Sequence, residues 1–508
     1  MLLVLVLTTC IAILDCFIST DAGISDIRPV NPNRPNEENV LIVSYKKAMM
    51  SEADVQRSMR KLERHCRCDV RRLTHVGAFI LKYKDGIQAD ISQLHLDSNL
   101  MSACDDGVIR LNPPRKINKV KGHKRENFLK RPSLMSNNTP VRENNEIDKE
   151  QSGTHENTIN LDIRQTPTDP SFNQQWPLAN LNNDADINAQ SGWDEYLSDP
   201  MGASSTCPAV IVAVIDTGVD YNHPDLQNVM WVNPGEIPAD GIDNDGNGIV
   251  DDIHGADFSN LASVNGNPMD GNGHGTHCAG IIAAEENNGI GIAGVASFSQ
   301  EKVSIMAVKG FSDSGFGTLN GLLMSLEYAL ENGAKISSNS WGSTTWNPAW
   351  DPVWSNVLQN NPQHIVVAAS GNQGQTLNQN NKKLLCGLDE PNLLCVASSK
   401  ITDQASSFSN IGKELVHVFA PGQHIYSTDI GSSYSYKTGT SMACPHATGL
   451  AALILTMRDK LIGQDVRQLI ECGAQKKPSY KNLVSSGGLI DVLNTIKVSK
   501  IIIFTYMN

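Results

Sequence analysis

The pattern of apolar and polar positions divides the chain into four stretches. Residues 2–14 are almost wholly apolar, and small residues follow at Ser19, Thr20 and Ala22. The run is too short for a confident membrane span and lacks a basic start, yet it reads as a signal peptide over 1–22. Residues 38–112 predict a small α+β domain. Val40–Val43, Gly77–Tyr83 and Gly107–Arg110 read as strands, and Glu52–His65 as a helix with Val55, Met59 and Leu62 on one face. The predicted order is strand–helix–strand–strand–helix–strand. Over 113–168 apolar content collapses. Basic residues come first (Arg115, Lys116, Lys119, Lys121), then an acidic, Asn-rich stretch (Glu143, Glu146, Asp148, Glu150). Such a segment buries too little surface to offset its ordering entropy and predicts an exposed linker. From 169 to 508 apolar runs at 209–215, 304–308, 364–369 and 393–397 alternate with helical stretches such as 319–330. This alternation predicts an α/β domain whose mostly parallel sheet is covered on both faces, with ligands at the C-terminal strand ends.

Composition narrows the classes. The 508 residues carry 41 Lys plus Arg and 54 Asp plus Glu, a net charge of −13. That balance argues against binding a phosphate backbone and permits calcium. Of 11 cysteines, Cys10 and Cys16 would leave with the signal peptide. Export allows disulfides among the rest, and Cys386 and Cys395, close in sequence around a predicted loop, are the best pair. Cys278 and Cys444 read as small buried thiols. Asn137-Asn138-Thr139 is a glycosylation sequon.

Three blocks carry chemistry. Val214-Ile215-Asp216-Thr217-Gly218 ends a buried strand on a carboxylate. Gly273-His274-Gly275-Thr276-His277 and Gly439-Thr440-Ser441-Met442-Ala443 each open a helix. A serine hydroxyl is a weak nucleophile until a base takes its proton, imidazole can take and return that proton, and a carboxylate behind it fixes the tautomer. A fourth block, Ala369-Ser370-Gly371-Asn372, ends a strand in an amide able to donate to an oxyanion. His277 and His446 read as structural. Asp220 and Asp225 lie near Asp216, but only Asp216 ends the apolar strand.

These blocks, in the order Asp216, His274, Ser441, resemble the signatures of the subtilisin family over roughly residues 169 to 495. The resemblance implies a three-layer subtilisin-like fold and a self-processing secreted serine endopeptidase acting on proteins and peptides. Its catalytic residues would be Asp216, His274 and Ser441, with Asn372 at the oxyanion. The 38–112 domain is similar to the family's ferredoxin-like propeptide, an inhibitor, which implies an autoprocessing site within 113–168. Ser314, Gly315 and Phe316, with Ser338, Ser340 and Gly342, resemble the two segments that sandwich an extended substrate as a third strand.

Between the acid and histidine blocks, Asp243, Asp245 and Asn247, then Gly248, match the start of a calcium loop. Ile249 and Asp251 fall at its seventh and ninth positions, but His254 stands where an EF-hand has glutamate. This predicts a loop site for Ca2+, not a full EF-hand. Resemblance implies a second Ca2+ site at Asp169, Asp225, Glu286, Asn288, Ile290 and Ile292. The 240–252 insert and the stretch from Lys335 to Trp341 look most like the apicomplexan parasite subtilisin-like proteases. That branch implies storage in apical secretory organelles and processing of parasite surface proteins at egress or invasion. The alternatives are a furin/kexin-type convertase, disfavoured because little chain follows Leu493, and a catalytically silent calcium-dependent binding protein.

Overall fold

The computed structural model describes residues 40–45, 52–53, 55–56, 59, 68–75, 78–83, 100–105, 108–110, 166–180, 184–199, 209–297, 302–342 and 346–506. The expected signal peptide, nearly all of the expected linker and the Asn137 sequon lie outside them.

The N-terminal strands are β1 (Val40–Tyr45), β2 (Cys68–Leu73), β3 (Ala78–Tyr83) and β4 (Leu100–Asp105), which form an antiparallel sheet in the order β2-β3-β1-β4. The next strand, β5 (Val108–Arg110), departs from the expectation. It does not join that sheet. It pairs antiparallel with β9 (Phe316–Thr318), Ile109 opposite Gly317, far along the chain.

The larger part is built on β6 (Val210–Asp216), β7 (Gly255–Asp257), β8 (Val303–Lys309), β10 (Ile336–Asn339), β11 (Ile365–Ala369), β12 (Leu393–Lys400), β13 (Gln404–Ala405), β14 (Val418–Pro421), β17 (Gln475–Lys476) and β18 (Gly488–Leu489). They form one sheet in the order β17-β18-β14-β12-β11-β10-β6-β8-β7, with β13 on β12. Pairings from β18 to β7 are parallel, and β13 and β17 are antiparallel additions. A separate hairpin joins β15 (Ile425–Asp429) to β16 (Ser433–Lys437).

Both faces of the sheet are covered, which is why its strands read as unbroken apolar runs. Val212 and Val214 of β6 face a core shared with helices α2 (His274–Ala283) and α5 (Thr440–Met457), through Ala279, Ile282, Leu450 and Leu453. Ala213 and Ile215, pointing the other way, meet α3 (Leu319–Glu331) and α4 (Asp351–Asn360) through Leu322, Leu323, Val353 and Trp354. Three further helices are α1 (Ala189–Leu197), α6 (Gly463–Gly473) and α7 (Val492–Tyr506). The result is the expected three-layer α/β arrangement. A disulfide joins Cys386 to Cys395, as the spacing suggested, and ties the loop before β12 to that strand. Cys278 and Cys444 are buried free thiols.

Candidate active site

Parallel strands deliver their C-terminal ends to one side of the sheet, and there the acid is presented. Asp216 ends β6, in register with Lys309 at the end of β8. Its Oδ1 accepts the Thr217 N–H at 2.8 Å and lies 2.7 Å from His274 Nδ1. Both side chains are essentially buried, at 0 % and 1 % exposure. A carboxylate there makes Nδ1 the protonated nitrogen and leaves Nε2 as a base. Nε2 is buried with no hydrogen-bond partner.

His274 opens α2 after Gly273, which has φ +88° and a carboxylate oxygen of Asp429 2.1 Å from where a Cβ would sit. Only glycine fits there. Ser441 stands in the first turn of α5. Proline at 445 removes the N–H that would bond back to the Ser441 carbonyl. That carbonyl instead accepts Ser340 Oγ at 2.9 Å and the Cys278 thiol at 3.4 Å. The same thiol lies within 4.8 Å of the facing atoms of Asp216 and His274, so one buried cysteine touches both halves of the site. Burial pushes the thiols of Cys278 and Cys444 upward, which keeps them neutral and unreactive. Ser441 Oγ donates to the Ser340 carbonyl at 2.9 Å, so the serine–histidine bond is not formed in this resting arrangement.

Asn372 follows β11. Its Oδ1 accepts the N–H of Thr440 at 2.8 Å and the Thr440 hydroxyl at 2.9 Å. The oxygen being held, the NH2 group is left to donate beside the start of α5, where the helix dipole favours negative charge.

The expected substrate segments divide. Gly315 and Phe316 lead into β9, whose edge carries β5; Ser314 precedes them, its hydroxyl 3.0 Å from that of Ser312. Ser340 to Gly342 follow the end of β10. Ser338 is placed otherwise than expected, because its backbone is paired with Val214 on one side and Val367 on the other. A strand interior to the sheet has no free edge to offer. The Ser340 side chain faces Ser441 and not the groove.

His277 and His446 are structural, as read. Burial holds the imidazole of His277 well below its usual range and brings that of His446 down to about 4. His277 Nε2 lies 3.2 Å from the Ile425 carbonyl and 3.1 Å from that of Ser435.

The 240–252 insert folds around its acids. Asp243 accepts the N–H groups of Gly246, Asn247 and Gly248, and Asn247 Oδ1 that of Ile249. Ligand atoms of Asp243, Asp245 and Glu236 lie within 4.8 Å of one another. Glu236 is the group that sequence reading missed. It comes from outside the motif and reaches the Asn244, Asp245 and Asp251 N–H groups. Asp251 keeps one buried oxygen without a partner, whereas Asp252 is taken up by Tyr328, Asn233 and Asn247.

At the second expected site Asp225 accepts Asn288 Nδ2, the Ile292 N–H and the Tyr434 hydroxyl. Burial raises its carboxyl to about 6, and Asp169 nearby adds to the shift. Asp169 has a buried oxygen with no partner. Two buried acids that repel, one with an unused oxygen, fit a hard cation ligated by oxygen. One Glu286 carboxylate oxygen accepts the Ser297 hydroxyl at 3.3 Å.

With this geometry in view, comparison with known proteins decides the family. A profile described as the subtilase family matches residues 208–488. The chain belongs to the subtilase family of serine peptidases. It is 33 % identical over 301 residues to subtilisin-like protease 1 of Plasmodium berghei, an alignment covering 56 % of this chain and 49 % of that protein. It is 36 % identical over 313 residues to thermitase of Thermoactinomyces vulgaris, covering 61 % and 92 %. Among solved structures, a protease of Pseudoalteromonas arctica PAMC 21717 matches at a TM-score of 0.51 with 24 % identity, over 66 % of this chain and 100 % of the other, which shows the shared fold. The chain thus spans about half the length of the Plasmodium relative. The expected likeness to apicomplexan subtilases is met.

Proposed function

We propose that this subtilase is a secreted serine endopeptidase that hydrolyses peptide bonds through an acyl-enzyme and is made as a self-processing zymogen. The observation that carries the reading is the His274 ring. It is fixed at Nδ1 by Asp216, and its Nε2 is unclaimed within a site whose serine opens a helix.

The steps follow from that geometry. Ser441 Oγ turns from the Ser340 carbonyl to His274 Nε2 and attacks the scissile carbonyl as the imidazole takes its proton. The oxyanion is received by Asn372 Nδ2 and the Ser441 N–H at the start of α5. His274 then protonates the leaving amine, which departs and leaves the acyl group on Ser441. Water repeats the sequence with Oγ as leaving group. Asp216 holds the ring throughout and stabilises the imidazolium.

The antiparallel pairing of β5 with β9 supports autoinhibition. The N-terminal segment lies along the edge a substrate strand would extend, so it competes for the same backbone hydrogen bonds. Calcium at the two acidic sites would hold surface loops together, far from the chemistry. Glu236, Asp243, Asp245 and Asn247 would serve one site, and Asp169, Asp225 and Asn288 the other. Among the described residues no helix is long and apolar enough to cross a membrane. The likeness to the Plasmodium relatives supports processing of parasite surface or secreted proteins after storage in secretory organelles.

A serine-directed phosphonate tests the reading. The parent protein is labelled, and Ser441→Ala is not and keeps its N-terminal segment uncut on a gel. Equal labelling of both would discard the assignment of Ser441.

A further inference from the structure

The first turn of α2 is gripped from outside by one hairpin. Ser427 Oγ donates to the His277 carbonyl at 2.8 Å and Thr428 Oγ1 to the Thr276 carbonyl at 2.7 Å. The third grip differs in charge. Lys437 Nζ donates to the Gly273 carbonyl at 2.6 Å and is paired with Asp429 Oδ2 at 3.0 Å. Asp429 is braced by the Ser435 hydroxyl at 2.6 Å and the Ile430 N–H at 3.0 Å. Both ends of the ion pair are largely shielded, with side-chain exposures of 14 % and 19 %.

The Gly273 carbonyl belongs to the peptide that carries the His274 nitrogen. The imidazole has one hydrogen bond, to Asp216, and none at Nε2. A ring held at one point can still swing about that contact, so its aim toward Ser441 is set by the backbone beneath it. The preceding peptide is held from the other side of the Gly273 Cα by Asp270, whose Oδ1 accepts the Gly273 N–H at 3.0 Å. A charge-assisted bond to the carbonyl completes the clamp and is stronger than a neutral one. The strand that bears Lys437 runs on through Thr438 and Gly439 into Ser441. One ammonium therefore ties the base's helix to the approach of the nucleophile.

We propose that Lys437, held by Asp429, is a positioning residue of the reaction, setting the orientation of His274 relative to Ser441. This rests on His274 being the general base. A merely structural lysine would affect stability, and one that binds substrate would affect KM. A positioning residue affects kcat, since small misplacement of a reacting group is costly in rate.

The test uses the full chain after self-processing. Kinetics on a peptide substrate, the rate of phosphonate labelling and thermal melting are measured for Lys437→Met, Lys437→Arg and Asp429→Asn. Lys437→Met keeps the apolar stem and removes the charge. It is expected to lower kcat and the labelling rate roughly tenfold, with KM within about twofold. Lys437→Arg is expected to recover most of the loss, and Asp429→Asn to fall between. An unchanged kcat in Lys437→Met, a rise in KM alone, or a loss that tracks melting with no rescue by arginine would each overturn the proposal. If the parent protein itself resists labelling, the reading of the triad fails, and not only the role of Lys437.

Discussion

The Asn372 amide shows how a single side chain is oriented by its neighbours. Thr440 takes both hydrogen bonds that its oxygen can accept and so fixes which end would face the proposed oxyanion. Asn372→Ala is therefore expected to lower kcat by about 10²–10³-fold with little change in KM, the effect known for one such donor in subtilisin itself; steady-state kinetics on a peptide ester would check it. The placement of Asp216, His274, Asn372 and Ser441 at element edges was legible in the sequence because each sits in a short block whose small neighbours are local features. Glu236 and Lys437 were not. Lys437 meets Gly273 across 164 positions, and nothing around it in the sequence separates it from any surface lysine. Ser338 was misplaced for a related reason. Adjacency to Ser340 in sequence does not reveal that one residue lies between two strands and the other beyond them.

At the scale of elements, the apolar runs that announced a parallel sheet are the strands found, because burial on both faces leaves no polar alternation to misread. Pairing partners are a different matter. The run at 107–110 is a strand, but its partner is β9, since an edge recruits whatever backbone the fold brings to it. The Cys386–Cys395 bridge closes a short loop onto β12. Replacing both cysteines with alanine should cost about 2–3 kcal/mol through the freed unfolded chain, measurable as a lower denaturant midpoint. Below β11, His364 is buried between the Ala334 carbonyl and the Ser337 hydroxyl, and burial brings its pKa down to about 4.

The whole molecule inherits that shift. The unfolded chain binds protons at His364 and His446 near pH 6.5, whereas the folded chain resists them until about 4. Stability contributed by the neutral rings is thus complete above about pH 6.5 and is lost as pH falls toward 4. Melting temperature should fall between pH 7 and pH 5, and His364→Gln should flatten that fall. Chelation acts on the same observable by another route. EDTA is expected to lower the melting temperature at pH 7.5, because Asp169, Asp225 and the Glu236 group would then repel without a cation between them; an unchanged melting curve would remove both ions. The register of β6 against β8 carries a consequence of its own. Asp216 faces the histidine because seven rungs are in step from Val210 to Asp216. Inserting one residue upstream in that strand would turn the carboxylate toward the opposite layer, giving a folded but silent protein.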